Sequence, residues 1–159
     1  MRGARLLADR SPWPRLAVVA LFALAFALIE AMVVYYLRKL FALEYAAVFS
    51  ETSFRFPKDY LAHEQAREAA TMVVLVAVGL LAGRTPWQAF AYWLFAFGVW
   101  DIAYYAWLCV LLDWPGSLGT RDLLFLMPGE WWAPVWLPVS ISAGFIAAAV
   151  LILRFARRA

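Results

Sequence analysis

The feature that most limits the fold of this chain is a set of four long apolar segments. They lie at about 16–37, 68–82, 87–112 and 135–153 in a chain of 159 residues. A helix needs roughly 20 apolar residues to cross the hydrocarbon core of a bilayer. The second segment reaches that length only when it begins near His63. The sequence therefore predicts four transmembrane helices, at about 16–37, 63–82, 87–112 and 135–153.

Composition favours a membrane protein over a soluble one. Hydrophobic residues make up 66% of the chain and charged residues 16%, whereas soluble domains average about half and about a quarter. The net charge of +3 comes from arginines at the ends of apolar segments, which is typical of membrane orientation and not of nucleic-acid binding. We expect an all-α integral membrane four-helix bundle, one transmembrane domain over residues 1–159, with the lipid bilayer as its partner.

Basic residues near the helix ends predict the orientation. Arginines precede the first segment and follow the fourth, at Arg2, Arg5, Arg10, Arg15, Arg154, Arg157 and Arg158. Cytoplasmic segments carry the excess of Lys and Arg, so both termini are expected on the cytoplasmic side of a bacterial cytoplasmic (inner) membrane. The connections 38–63 and 113–134 then lie outside. A signal peptide is the alternative for the first segment, but its apolar run is long for one.

The second outer connection predicts a short fifth helix over 120–127. Thr120 is a potential N-cap, and Pro128-Gly129 would end the helix. Its apolar stretch is too short to span a membrane, so we expect it to lie in the interface or to be re-entrant, as a lid on the bundle.

Small residues at helical spacing predict close packing of the first and fourth helices. They are Ala23, Ala27 and Ala31, and Ser140, Gly144 and Ala148. Such residues allow helix backbones to approach closely in lipid. A packed bundle is expected, and a homo-oligomer or a larger membrane complex is compatible with the same pattern.

Ionisable residues inside the apolar segments form the candidate site, because they are costly to bury in lipid. Glu30 and Asp101 each lie about 14 residues, or about 21 Å, beyond the cytoplasmic end of their helices. Glu68 belongs to a helix of opposite direction and falls at about the same depth. Three helices are thus predicted to place a carboxylate at one level in the outer third of the membrane.

Polar neighbours at helical spacing extend this cluster. Glu64, Arg67, Glu68 and Thr71 share one helical face, and Asp101 shares another with two tyrosines. Such faces point into the bundle or into a wet cavity. The candidate ligand-binding or ion-coupling residues are Glu30, Glu64, Arg67, Glu68, Asp101, Tyr104 and Tyr105.

Three roles for the cluster remain open. Glu30, Glu68, Asp101 and His63 offer mainly oxygen ligands and would suit a divalent cation such as Ca²⁺, Mg²⁺ or Mn²⁺. Closely spaced carboxylates cannot all ionise, which is compatible with a small proton-coupled transporter. Alternatively, Arg67 only neutralises acids and fixes helix packing, as in a non-catalytic accessory or assembly subunit.

The leading hypothesis is a pocket near the outer face that binds a cation or a small polar ligand. Glu30, Glu68 and Asp101 would bind it, Arg67 would balance charge, and the tyrosines would donate hydrogen bonds. No sequence motif defines a catalysed reaction, since there is neither a metalloprotease His pair nor a phosphate-binding loop.

Four stretches resemble segments of a group of small, uncharacterised bacterial membrane proteins. They are EAMVVYYLR (30–38), EQAREAAT (64–71), FGVWDIAYY (97–105) and WPGSLGTRDLLFLMP (114–128). The resemblance implies a bundle of membrane helices and brings no known activity. Arg121 stands where that group has an aromatic residue, so the resemblance does not define how the 120–127 segment is seated.

Overall fold

The structure, a computed structural model, describes residues 11–40 and 58–155. Its elements are α1 (Trp13–Leu40), α2 (Lys58–Ala82), α3 (Pro86–Leu112), β1 (Arg121–Phe125), β2 (Trp131–Pro134) and α4 (Trp136–Phe155). Arg2, Arg5, Arg10, Arg157, Arg158 and most of the first long connection lie outside the described residues.

All four helices are long and apolar enough to cross a membrane, which confirms the prediction of a multi-pass helical protein. The largest difference is at α2, which begins at Lys58, five residues before the predicted start. Its first turns are polar and lie at the end of the bundle that carries the two strands, hereafter the hairpin end.

Helix α3 is the central element and packs against the other three helices. Thr85 begins it as the N-cap, accepting a 3.3 Å hydrogen bond from the backbone N–H of Gln88, while Pro86 supplies a fixed φ in the first turn. Asp113 ends it in the left-handed region, at φ 52°. Because α3 contacts the other three helices, each of them can present polar residues towards it.

The small-residue prediction is confirmed for α1 and only in part for α4. Ala23, Ala27 and Ala31 are fully buried, and Ala148 of α4 packs against the core, whereas Ser140 and Gly144 are exposed. In α4 the buried face carries Ser142, Ala149 and Leu153 instead. The small residue at the α3–α4 contact comes from α3. A Cβ on Gly98 would lie 2.6 Å from the carbonyl oxygen of Ser142, so the helices approach there through Gly98.

The predicted helix over 120–127 is wrong, because this segment forms the first strand of an antiparallel hairpin. Residues 121–125 pair with 131–134, with Arg121 opposite Pro134 and Phe125 opposite Trp131. A single short helix is barely stable by itself and leaves unpaired backbone groups at both ends. The ladder instead pairs these groups with a segment only a few residues away. The lid-like position is retained, but the element is a hairpin.

Two further backbone hydrogen bonds join the hairpin to the start of α4. The N–H of Val135 donates to the carbonyl of Thr120 at 2.9 Å, and that of Trp136 donates to Leu118 at 2.9 Å. Val135 is fully buried beside Ala31, Tyr105 and Leu108. The hairpin is therefore packed onto the end of the bundle through an apolar contact.

Candidate functional site

A cavity of about 430 Å³ lies beneath the hairpin and between α1, α2 and α3. This volume is within the range of pockets that bind small molecules. The structure places all seven candidate residues in its lining, namely Glu30, Glu64, Arg67, Glu68, Asp101, Tyr104 and Tyr105. His63 is exposed and does not line the cavity, so it is separated from the carboxylates with which it was grouped.

On the α1–α2 side of the cavity, Arg67 joins two acidic residues. Its guanidinium donates to the carboxylates of Glu30 and Glu64. Thr71 donates to the other oxygen of Glu30 at 2.9 Å, and Glu30 is only 6% exposed. Because a buried carboxylate needs a cation or several donors, these four residues form a self-satisfied group, hereafter the Arg67 cluster, that links α1 to α2.

Glu68 and Gln65 attach α2 to the hairpin at a single residue. Both carboxylate oxygens of Glu68 accept from the backbone N–H of Leu126, at 3.0 and 3.1 Å. The Gln65 amide donates to the carbonyl of Leu126 at 3.1 Å. Leu126 follows directly after β1. Glu68 therefore both lines the cavity and holds the hairpin that covers it.

On the α3 side, two carboxylates are held mainly by hydroxyl groups. Ser142 donates to Asp101 at 2.8 Å, and Tyr105 donates to Asp122 at 3.1 Å. Asp122 also accepts from the backbone N–H of Leu123 at 2.9 Å. Burial raises the pKa of Asp122 to about 6, although its hydrogen bond with Tyr105 and the charge of Arg38 act in the opposite direction.

Four aromatic rings line the same side of the cavity in a continuous series, hereafter the ring wall. Ring centroids are 6.3 Å apart for Trp100 and Tyr104, 5.3 Å for Tyr104 and Tyr105, and 6.4 Å for Tyr105 and Trp114. The guanidinium of Arg38 lies 4.3 Å from the ring centroid of Trp114. A cation therefore already occupies the Trp114 end of the wall.

One polar group on the ring wall is buried and makes no hydrogen bond with the residues that the structure describes. It is the indole N–H of Trp100, a residue that is 8% exposed. Tyr104, the next ring of the wall, also lines the cavity. Buried polar groups are normally paired, so this wall offers hydrogen-bonding capacity that the described chain does not use.

The lining contains more acidic than basic residues. Six carboxylates and three guanidiniums line the cavity: Glu30, Glu64, Glu68, Asp101, Asp113 and Asp122, and Arg38, Arg67 and Arg121. The whole chain has the opposite balance, at +3. An excess of negative charge in a low-dielectric cleft attracts cations, so the cavity is electrostatically suited to a positively charged ligand.

A compact metal centre is not visible in the described part of the chain. Over 11–40 and 58–155, no group of three or more His, Cys, Asp or Glu side chains is close enough together to hold a metal ion. The carboxylates are distributed around the cavity instead, which favours a ligand larger than a single ion.

Sequence reasoning missed Asp122, Trp100 and Trp114 as cavity residues. Asp122 stands directly before the apolar run 123–126, and an acid beside such a run was the available signal. Because the segment was predicted as a helix, the side of it on which Asp122 lies could not be predicted.

Comparisons with protein-family models, with curated proteins and with solved structures found no match.

Proposed function

We propose that this chain is a multi-pass protein of the bacterial cytoplasmic membrane that binds a small, positively charged ligand in the cavity beneath the hairpin. The observation that carries the proposal is the excess of carboxylates over guanidiniums in a lining that is otherwise mostly apolar. Such charges are costly beside lipid, and a cationic ligand would offset that cost.

The proposal assigns different roles to the two sides of the cavity. The Arg67 cluster is internally paired, so it acts as a frame that fixes α1 against α2. Asp101 and Asp122 accept from neutral hydroxyl groups and are the carboxylates best suited to neutralise a ligand. Glu68 contributes negative charge and holds the hairpin through the backbone N–H of Leu126.

The orientation of the site follows from the distribution of basic residues. The arginines before α1 and after α4 support a cytoplasmic position for both termini. The hairpin end, reached after one or three crossings, would then face the outside. The ligand would enter from the extracytoplasmic side of the membrane.

A binding measurement on the purified protein tests the proposal. Isothermal titration in mild detergent with tetramethylammonium, Mg²⁺, Ca²⁺ and Mn²⁺ should show saturable binding of at least one cation. Asp101→Asn removes one of the carboxylates that neutralise the ligand, so it should weaken that binding about tenfold. This change corresponds to about 1.4 kcal/mol.

Glu130→Gln is the matched control, because Glu130 is an exposed acid of the hairpin turn and does not line the cavity. It should bind like the wild type. Absence of saturable binding of every cation, or equal affinity of Asp101→Asn and the wild type, would reject the proposal.

The completeness of the Arg67 cluster also supports a second candidate, a non-catalytic accessory or assembly subunit of a membrane complex. In that case the buried ion pairs would fix helix packing alone. Co-purification of a stoichiometric partner, together with no cation binding, would favour this function over the first.

A further inference from the structure

The size of the cavity and the spread of its acids point away from a bare metal ion. A volume of about 430 Å³ far exceeds that of one ion with its direct ligands. No metal-holding group occurs among the described His, Cys, Asp and Glu residues. A ligand that fills this space and still carries positive charge must have an organic body.

The ring wall supplies the matching surface for such a body. Cations are attracted to the faces of Trp and Tyr rings within about 6 Å, and recognition of organic ammonium groups uses this geometry. Asp101 stands in the sequence between Trp100 and the two tyrosines, within two turns of α3. A carboxylate and three aromatic rings are therefore presented to the cavity by one short stretch of helix.

The unpaired indole N–H adds a second requirement. The Trp100 indole N–H has no partner among the residues described, and the neighbouring Tyr104 lines the cavity. The indole is a donor only, and a Tyr hydroxyl is donor and acceptor. A ligand that satisfies this wall needs an oxygen atom near its charged group.

From these observations, and resting on the function proposed above, we infer that the ligand is an organic ammonium ion that also carries an oxygen function, such as an amino alcohol. Its ammonium group lies between Asp101 and the rings of Trp100 and Tyr104. Its oxygen shares a hydrogen bond with the Tyr104 hydroxyl. The Arg38 guanidinium lies against the ring of Trp114, so the ligand occupies the Trp100 end of the ring wall.

Three small probes separate the contributions of the charge and of the oxygen-bearing arm. Choline carries both features, tetramethylammonium keeps the charge and has a methyl group in place of the hydroxyethyl arm, and 3,3-dimethylbutan-1-ol is the neutral isostere of choline. Isothermal titration of the full chain in mild detergent should give saturable binding of choline, several-fold weaker binding of tetramethylammonium, and no binding of the neutral alcohol at matched concentrations.

Two tyrosine variants test the position of the oxygen. Tyr104→Phe keeps the ring and removes the hydroxyl, so it should lower choline affinity several-fold and leave tetramethylammonium affinity unchanged. Tyr36→Phe is the control, since Tyr36 is 55% exposed and lies outside the cavity lining. Unchanged thermal unfolding without ligand verifies that both variants are folded.

The outcomes separate this inference from the proposed function. Binding of Mg²⁺, Ca²⁺ or Mn²⁺ without binding of either ammonium probe overturns the inference and leaves cation binding in place. Equal binding of choline and its neutral isostere also overturns the inference. Failure of every cation overturns both, and an unchanged choline affinity in Tyr104→Phe removes the role of the hydroxyl.

Discussion

At the scale of single residues, the decisive feature is how each buried charge is compensated. Glu30 is 6% exposed and receives donors from Arg67 and Thr71. A buried ion pair contributes little net stability, yet removing one partner is costly because the other stays buried and unpaired. The Arg67 cluster should therefore be more sensitive to single substitutions than to paired ones.

Arg67→Gln should lower the free energy of unfolding by about 1–3 kcal/mol, because Glu30 loses its cation while remaining buried. The lower part of that range applies if solvent screens the pair, since the Arg67 side chain is 28% exposed. Thermal unfolding in detergent measures the change. The double variant Arg67→Gln/Glu30→Gln should recover part of the loss, and a double variant less stable than Arg67→Gln would contradict this account.

Asp122 should make stability depend on pH in the direction opposite to that of a salt-bridged acid. Its pKa is raised in the folded state from 3.8 to about 6, so the folded protein binds the proton more tightly than the unfolded chain. The stabilising contribution is complete below about pH 4 and is lost as the pH rises through about 6. Above that pH, the buried charge costs up to about 3 kcal/mol.

Asp122→Asn removes this titration. Compared with the wild type, its unfolding midpoint should fall less steeply between about pH 4 and pH 7, as measured by thermal scans at fixed ionic strength. Asp113→Asn removes the same charge at an exposed position, where Asn also tolerates the left-handed backbone, and should keep the wild-type slope. Identical slopes for Asp122→Asn and the wild type would show that Asp122 does not titrate in this way.

At the scale of elements, α3 organises the molecule because it contacts every other helix. Asp101 and three rings of the ring wall lie on α3 and line the cavity. Gly98, one turn earlier, allows α4 to approach α3 closely. The hairpin closes the same end and is attached to α2 through Leu126. The geometry of the site thus depends on how closely α4 and the hairpin approach α3.

Gly98→Ala should separate α3 from α4, because the added Cβ would lie 2.6 Å from the Ser142 carbonyl oxygen and 2.8 Å from Cγ1 of Ile146. Such overpacking typically costs about 1–3 kcal/mol, visible as a lower unfolding midpoint. Gly144→Ala is the matched control, since nothing lies within 4 Å of its Cβ position, and it should be neutral or slightly stabilising. If Gly98→Ala were as stable as Gly144→Ala, the close contact would be absent.

At the scale of the whole molecule, four apolar helices place the two ends of the described chain on one side and the hairpin on the other. Four helices that each cross a membrane return the chain to its starting side. In the orientation proposed above from the arginine distribution, that side is the cytoplasm. The cavity would open at the opposite surface.

Two matched Ser→Cys variants test this orientation in a Cys109→Ala background, since Cys109 is the single cysteine. Ser117→Cys, beside the hairpin, should react with a membrane-impermeant maleimide added to intact spheroplasts. Ser11→Cys, at the start of α1, should react only after the membrane is opened. The reverse pattern would place the cavity on the cytoplasmic side.

The sequence by itself determined how many helices are long and apolar enough to span a membrane. Runs such as 87–112 contain enough apolar residues to span a bilayer, and a helix is the one open-chain structure that satisfies its own backbone there. Periodicity also grouped Glu64, Arg67 and Glu68 on one face, because side chains three and four residues apart lie together on any helix. Both the helices and the shared face follow from the geometry of a single helix, without contacts to the rest of the chain.

Tertiary structure decided what no local pattern contains. The segment 121–125 became a strand because a partner, 131–134, was within reach to pair its backbone. The exposed position of His63 and the partly buried position of Asp122 depend on how α2 and the hairpin sit against α3. These are contacts between residues distant in the chain, and their free energies depend on distances that only the packed molecule defines.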